Sequence, residues 1–519
     1  MAENDREAAI RLVSLGDAAS AARRWDDAAA LFAQASAARP DWVDPALQRA
    51  RCLVHAGRNV EAIETLIAAL AKHSDHPGLY SMLGSILRFE GELDGAIEAH
   101  RRAIACAPTL AEAYTSLGSA LCDHGEIEAA IEAHRQALAL GADGAGAYSQ
   151  LGAALLAKGE IAEARAMTER ALERNPSDAP AHFTLARLLL LDGDLARGWA
   201  EYEWRTRPGV MQRTVRAFPC PLWRGESLSG RRILLHAEQG LGDTLQFIRF
   251  ARPLLAAGAG LVLEVQPPLV RLIARSFPQA QVVAKGGALP PTDFHCPLGS
   301  LPERLGTTLA TLPGALPYLT LDPAAVAAWR ARLAGGEGLR IGIVWAGNPA
   351  YQADRARSLR PEGLAALIEV LARPGARLFA LQKEPRPEDR AILAAAGERI
   401  SDLSALVGDF DNTGAIAAGL DLIVSTDTSL PHLAGALGLP VWLLLPRVPD
   451  WRWLLERGDT PWYPTMRLFR QKQAGDWTAV WDDLAAALSL RGCRPGPAWG
   501  LAPPEPPLLE RRDGGGAGG

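Results

Sequence analysis

The chain has 519 residues, enough for two or three domains with substantial cores, and its 48% hydrophobic and 22% charged residues make an ordinary globular balance. A net charge of −5 removes any general electrostatic reason to bind nucleic acid or an anionic membrane surface. With Glu3, Asp5, Arg6 and Asp17 in the first 20 residues no hydrophobic leader is expected there, and no apolar run approaches the ~20 residues of a membrane-spanning helix. Cys52, Cys106, Cys122, Cys220, Cys296 and Cys493 are scattered without a CxxC pair, which argues against a disulfide framework or zinc site. The expected compartment is reducing and cytoplasmic, with no integral membrane segment.

The first two hundred residues repeat one unit. Ala28, Ala62, Ala96, Ala130 and Ala164 are each 34 residues apart, and Gly57, Gly91, Gly125, Gly159 and Gly193 keep the same step. Leu83, Leu117, Leu151 and Leu185 follow it, and Pro40, Pro108 and Pro176 fall on the same grid at every second slot, with Ser74 and Ala142 between them. A glycine such as Gly125 ends one helix in the left-handed conformation, and the small alanine after it lets the second helix approach closely. Proline near the end of a unit stops that second helix. One helical hairpin cannot bury its apolar face alone, so stacked units form a solenoid. This pattern resembles the tetratricopeptide repeat, with about six units over residues 9–206. Such arrays mostly bind peptides or proteins. Ser81, Ser85, Thr115, Ser119 and Ser149 recur where the first helix of each unit lines the groove. They are candidates for hydrogen bonding an extended acceptor chain; the alternative is a tolerated solvated face. His100 and His134 share a position normally filled by an aromatic and read as packing residues. The array (1–206) closes on Gly198, Trp199, Tyr202 and Trp204, a cap or a docking surface for the next domain, and the Pro-rich stretch 207–230 reads as a linker.

From residue 231 the period changes. "RRILLHAEQ", "GLVLEV" and "AQVV" are short apolar runs next to helical or loop segments, and a second series begins at "LRIGIVWAG" and continues through "ARLFALQ", "LDLIVST" and "PVWLLLP". Apolar strands alternating with amphipathic helices imply parallel sheets covered on both faces. Two doubly wound lobes are expected, at 231–335 and 336–492, with the ligand beyond the carboxyl ends of the strands. Residues 493–519 are rich in Pro and Gly and are expected to be a disordered tail.

The segment 420–446 carries most of the chemistry. A buried strand runs into Ser425, Thr426, Asp427, Thr428 and Ser429, and a helix follows from about Pro431, with His432 in its first turn. Backbone N–H groups and hydroxyls then converge where the positive end of the helix favours a phosphate. Capping by Asp427, Thr428 or Ser429 is the competing role.

"TDTSLPHLAGALGLPVW" resembles the donor-site motif of heptosyltransferase-like glycosyltransferases, which have the two-lobed GT-B fold, and "QGLGDTLQF" resembles the turn that opens their first lobe. "VWAGNP", "DRARS", "LQKEP", "DWRW" and "TPWYP" are similar to the second lobe of the bacterial repeat-fused branch. The resemblance spans about 231–490 and implies transfer from a nucleotide-sugar co-substrate without a cofactor or metal. It makes Asp243 the candidate general base, although a helix cap is its other role. Gly240 and Gly242 would pass close to sugar or acceptor. Arg357, followed by Ser358, would contact the donor phosphate, where heptosyltransferases more often carry lysine. Gln382 and Lys383 end a strand near the nucleotide, with a surface role open for Lys383. The next candidate base is His236, which otherwise reads as a packed histidine.

"DFD" at 409–411 has the spelling of metal-dependent enzymes of another fold, but it precedes a helix for which Asp411 or Asn412 is the expected cap. "DWRWLLERGDTPWYP" reads as an interdomain wall, with sugar stacking as the alternative. The layout also resembles protein O-linked N-acetylglucosamine transferases, and similar repeat-bearing enzymes include some that glycosylate flagellin. The reading is therefore a glycosyltransferase acting on a protein acceptor, flagellin being one candidate. Its rivals are a scaffold with an inactive GT-B domain and an envelope or exopolysaccharide glycosyltransferase.

Overall fold

A computed structural model describes residues 2–211, 216–349 and 354–489. The chain divides into two compact units, the first ending at Thr184 and the second beginning at Leu185. Cys493 and the tail 493–519 lie outside the described residues. Among the described residues no helix is long and apolar enough to cross a membrane.

Unit one is built from helical hairpins: Ala2–Ala21 with Trp25–Ala38, Asp44–His55 with Asn59–Leu70, Pro77–Glu90 with Leu93–Cys106, Ala111–His124 with Ile127–Ala139, and Ala145–Lys158 with Ile161–Arg174. The helix Ala179–Leu191 spans the boundary, and Leu195–Tyr202 belongs to unit two. The glycines of the 34-residue lattice all have positive φ, from 77° at Gly57 to 95° at Gly125, which a side chain would strain. The lattice alanines Ala28, Ala62, Ala96, Ala130 and Ala164 are fully buried. A second set of pairs explains how the two helices of a hairpin come so close. A Cβ on Gly84 would stand 2.7 Å from the His100 ring, one on Gly118 2.5 Å from His134, and one on Gly152 2.7 Å from the Thr168 hydroxyl. His100 and His134 are buried packing residues, as their repeat position implies. Burial, with Arg88 adding to it, lowers both imidazoles to about 4, so they are neutral at neutral pH.

Unit two carries two wholly parallel sheets. The strands are β1 (Arg232–His236), β2 (Gly260–Val265), β3 (Gln281–Ala284), β4 (Phe294–Pro297), β5 (Leu339–Val344), β6 (Ala376–Ala380), β7 (Ile400–Asp402), β8 (Leu422–Thr426), β9 (Val441–Leu445) and β10 (Met466–Arg470). The first sheet runs β3-β2-β1-β4 and the second β10-β9-β8-β5-β6-β7. Every residue of β8 and β9 is buried, as continuous apolar strands covered on both faces require. The core of the second lobe is formed by residues such as Ile341, Ile343, Leu364, Leu367, Val424, Leu444 and Leu484. The strand order reverses beside β1 in the first sheet and between β5 and β8 in the second. These are the two switch points where an open parallel sheet presents its loops to ligand.

The helix Leu195–Tyr202 packs into unit two through its aromatic residues. Trp199 is 1% exposed and meets Trp451, Phe247 and Trp462 edge-on at centroid distances of 5.2, 6.3 and 6.3 Å. Gly198 makes room for Leu190 of the preceding helix. Beyond the helix, residues near 221–223 run along β4, with the Trp223 N–H donating to the His295 carbonyl at 2.8 Å.

Candidate functional site

The turn after β1 holds Gly240, Gly242 and Asp243. Gly240 is the N-cap of the helix Leu241–Phe247, and its N–H donates to Asp243 Oδ2 at 2.9 Å. Asp243 therefore does cap its helix, reaching back from the third position. Its other oxygen accepts from the Arg452 guanidinium, which also donates to Gln246 and, at 2.8 Å, to Asp450. Arg452 is 7% exposed and lies over the Trp451 ring at 4.4 Å. A buried cation from the second lobe is thus satisfied by two side chains of the first together with its own neighbour Asp450.

The turn after β8 holds Asp427, Thr428, Ser429 and His432. The helix there is Ser429–Ala436, two residues earlier than the position of Pro431 suggests, because proline is tolerated anywhere in a first turn that needs no N–H partner. Thr428 is its N-cap but makes no side-chain cap bond, so the first-turn N–H groups are not closed off by that hydroxyl. Ser425 Oγ lies 3.4 Å from Thr428 Oγ1. His432 is buried, with Nδ1 at 2.9 Å from the Tyr463 hydroxyl and Nε2 at 3.8 Å from Asp427 Oδ1. Its ring stacks on Trp453 at 5.4 Å. A Cβ on Gly242 would stand 2.8 Å from that ring, so only glycine lets the two turns meet this closely.

Electrostatics set the protonation of this cluster. Burial, with Arg452, Arg249 and Arg357 adding to it, drives His432 well below its ordinary range, so the imidazole is neutral. Burial and the neighbouring Asp450 raise Asp427 to about 6, while Arg357 and Arg452 oppose them. Arg357 is held by Asp354 at 3.0 Å, and its guanidinium comes within 2.8 Å of where a Gly347 Cβ would be. Ser358 Oγ accepts from the Gly347 N–H at 2.8 Å and donates to Asp354 at 2.7 Å. The fold thus assembles Gly242, Asp243, Arg357, Asp427 and His432 from segments far apart in the chain.

Other sequence candidates have different surroundings. Gln382 is buried, and its oxygen accepts from the N–H groups of Trp345 and Ala346 at 3.3 and 3.0 Å, fixing the turn after β5. Lys383 is exposed and paired with Glu384 at 3.6 Å. In unit one, Ser119 and Ser149 are buried and so do not face open solvent. Ser85 and Thr115 donate to carbonyls four residues back, and the Ser119 hydroxyl lies 2.7 Å from Gln150 Oε1 and 3.1 Å from the Thr115 carbonyl. Ser81 is half-buried. His236 is a packed histidine, stacked on Phe218 at 4.4 Å and lowered by burial, then by His295, to about 3.

The cap assignment in the "DFD" segment is corrected. Asp409 is the N-cap, accepting from the Asn412 N–H at 2.9 Å, because the helix Phe410–Ala417 starts earlier than the acidic spelling suggests. Asp411 instead receives Arg271 and Arg275 at 3.2 and 3.3 Å, and Asn412 accepts from Trp329. The aromatic "DWRW…TPWYP" segment is the wall expected, with Trp451, Trp453, Trp462 and Tyr463 buried. Within it, Arg452 and Asp450 are site residues that sequence reasoning missed. The available signal was an arginine enclosed by two tryptophans, a setting that forces a charge to find buried partners.

The fold and site define a tetratricopeptide-repeat protein with a C-terminal α/β domain of two parallel sheets. Residues 19–86 and 145–188 match the tetratricopeptide repeat family, and residues 118–159 match a TPR repeat family. Over 489 residues the chain is 30% identical to protein FlbA of Caulobacter vibrioides, covering 89% of this chain and 75% of that protein; the chain belongs to the FlbA family. Solved structures similar to the repeats include MamA, 28% identical over 33% of this chain and 94% of that one, with a TM-score of 0.30. TTC0263, a tetratricopeptide-repeat protein of Thermus thermophilus, is 27% identical over 35% of this chain and 100% of its own, also with a TM-score of 0.30.

Proposed function

We propose that the chain is a metal-independent glycosyltransferase of GT-B type that moves a sugar from a nucleotide-sugar donor to a protein acceptor engaged by the repeats. In this reading residues 1–206 are the array, 207–230 a linker, and 231–335 and 336–492 the two lobes. The observation that carries it is the meeting of the two switch-point turns, Gly240–Asp243 and Asp427–His432, with arginine on both sides. A nucleotide diphosphate fits the start of the helix Ser429–Ala436, where Thr428, Ser429 and the first-turn N–H groups are donors and Arg357 supplies positive charge. Asp243 is the candidate base; it is already ionically held by Arg452, so acceptor binding must loosen that contact before the carboxylate can take a proton. Flagellin is the first acceptor to try, on the strength of the resemblance to repeat-bearing enzymes that glycosylate it.

A second reading, a non-catalytic scaffold, is favoured by the closure of the junction itself: His432 lies against Gly242 and Arg452 spans the lobes. Calorimetry with a panel of nucleoside diphosphates and nucleotide-sugars separates the two. Binding by the wild type, weakened about 10- to 100-fold by Arg357→Ala, supports the donor site, since a hydrogen bond to a charged group is worth roughly 1.5–3 kcal/mol. Unchanged affinity in Arg357→Ala removes that residue from the site, and no binding to any member of the panel leaves the scaffold.

A further inference from the structure

The segment that ends the repeat lattice contacts the base of the candidate catalytic turn. Tyr202 occupies the same 34-residue lattice position as His100, His134 and Thr168, and in unit two its hydroxyl is bonded to Gln239. It donates to Gln239 Oε1 at 3.1 Å and accepts from Nε2 at 3.0 Å. Three residues on, Arg205 is 1% exposed and donates to Glu238 Oε1 from Nε and Nη2 at 3.1 and 2.7 Å, and to Ser300 at 2.8 Å. Glu238 and Gln239 are the two residues immediately before Gly240. The Gln239 carbonyl is held in turn by Gln266 Nε2 at 2.8 Å. The same helix reaches the second lobe through Trp199, which meets Trp451 beside the Arg452 that grips Asp243. A buried arginine on a buried carboxylate, two residues from a glycine turn, fixes that turn far more tightly than glycine would fix itself.

We infer that Tyr202 and Arg205, supplied by the last repeat, are positioning residues that set the alignment of the Gly240–Asp243 turn. The inference deepens the glycosyltransferase reading and rests on it for its catalytic consequence. Neither residue touches the reacting atoms; each acts through Gln239 or Glu238 on the backbone that carries Asp243. The repeat array then does more than hold an acceptor: its final helix is part of the frame of the site.

The test uses the full chain and two readouts. Hydrogen–deuterium exchange is measured across residues 236–247 in wild type, Tyr202→Phe, Arg205→Gln and Arg205→Lys. Nucleotide release is measured with UDP-N-acetylglucosamine, GDP-mannose, CMP-N-acetylneuraminate and ADP-heptose. Tyr202→Phe keeps its ring packing and loses one hydroxyl, so it carries the test even where Arg205→Gln fails to fold. The expected result is faster exchange confined to the turn. With it comes a fall in kcat on the order of 10- to 100-fold, as a small misplacement of a reacting group produces, and a donor KM within about twofold of wild type. Arg205→Lys, which keeps the ion pair, returns exchange toward the wild-type rate. Unchanged exchange in the turn overturns the inference, as does an unchanged kcat in an active enzyme. A wild type that releases nucleotide from none of the four donors counts against the glycosyltransferase reading instead, and the exchange data still decide whether Tyr202 and Arg205 order the turn.

Discussion

Asp427 is one of the side chains through which pH acts on the second unit, beside the buried imidazoles of His236 and His432. Its carboxyl titrates near 6 in the folded chain against an ordinary 3.8, because burial and then Asp450 disfavour the charge. Between those values the folded chain keeps on Asp427 a proton that the unfolded chain has released, so this group's contribution to stability is lost as pH rises through about 6. Asp427→Asn removes the penalty. It should raise the unfolding free energy from urea titration at about pH 8, by on the order of 2–3 kcal/mol, and change it little at about pH 4; tryptophan fluorescence would follow the transition. A midpoint shift equal at both pH values would show that packing, not charge, dominates. Asp243→Asn is the complementary change. Arg452 retains Asp450 and Gln246, so the variant should fold; on the glycosyltransferase proposal it should also bind nucleotide normally while transferring sugar at least ~100-fold more slowly. Near wild-type turnover in that variant would place the base elsewhere.

At the level of elements, the hairpins depend on matched small and large positions. Adding a methyl group at Gly118 places it 2.5 Å from His134, inside a packed contact. Gly118→Ala should therefore destabilise the first unit by roughly 1–3 kcal/mol, the usual cost of overpacking, even though alanine is the better helix former. Adding His134→Ala to the same chain should recover part of that loss, a non-additivity that exchange protection of residues 111–139 would report. A loss undiminished in the double variant would mean that the glycine is required for backbone reasons alone. Much of this architecture is legible in the sequence, because the features involved are local or periodic. The lattice of glycines and alanines, the apolar strands β1, β2, β5, β8 and β9, and the turns after β1 and β8 all carry their signal within a few residues. Arg452 was missed because its partner Asp243 lies 209 residues away, and nothing in "DWRW" names it. Asp411 was misassigned for the same reason, since Arg271 and Arg275 are contributed by the other lobe. Strands β4, β7 and β10 are short or edge-placed and offer little periodicity to read.

For the whole molecule, the consequence is where the chain can be divided. A chain begun at residue 207 follows the composition of the linker but discards Trp199, Tyr202 and Arg205. Losing a buried tryptophan costs roughly 3–5 kcal/mol, and leaving Glu238 buried without its arginine costs roughly 3–5 more. Together these rival the whole stability of a typical domain, roughly 5–15 kcal/mol. The truncated chain should melt at far lower temperature or aggregate, whereas one begun near residue 177, keeping the last two helices, should unfold cooperatively; differential scanning calorimetry would distinguish them. Equal melting of the two would mean that the aromatic docking contributes little.

The 34-residue step gives this docking an evolutionary meaning. Each hairpin after the first carries a lattice glycine at its turn and buries its own contacts between its two helices, so a duplication or deletion of whole hairpins upstream of about residue 175 preserves every contact within a hairpin. The final unit has no such freedom. Its Tyr202 position is bonded to Gln239 and its Trp199 is enclosed by Phe247, Trp451 and Trp462, so it must change in step with the α/β domain. Lineages of this family are therefore expected to vary in the number of their leading repeats while inheriting the last repeat and the α/β domain as a single block.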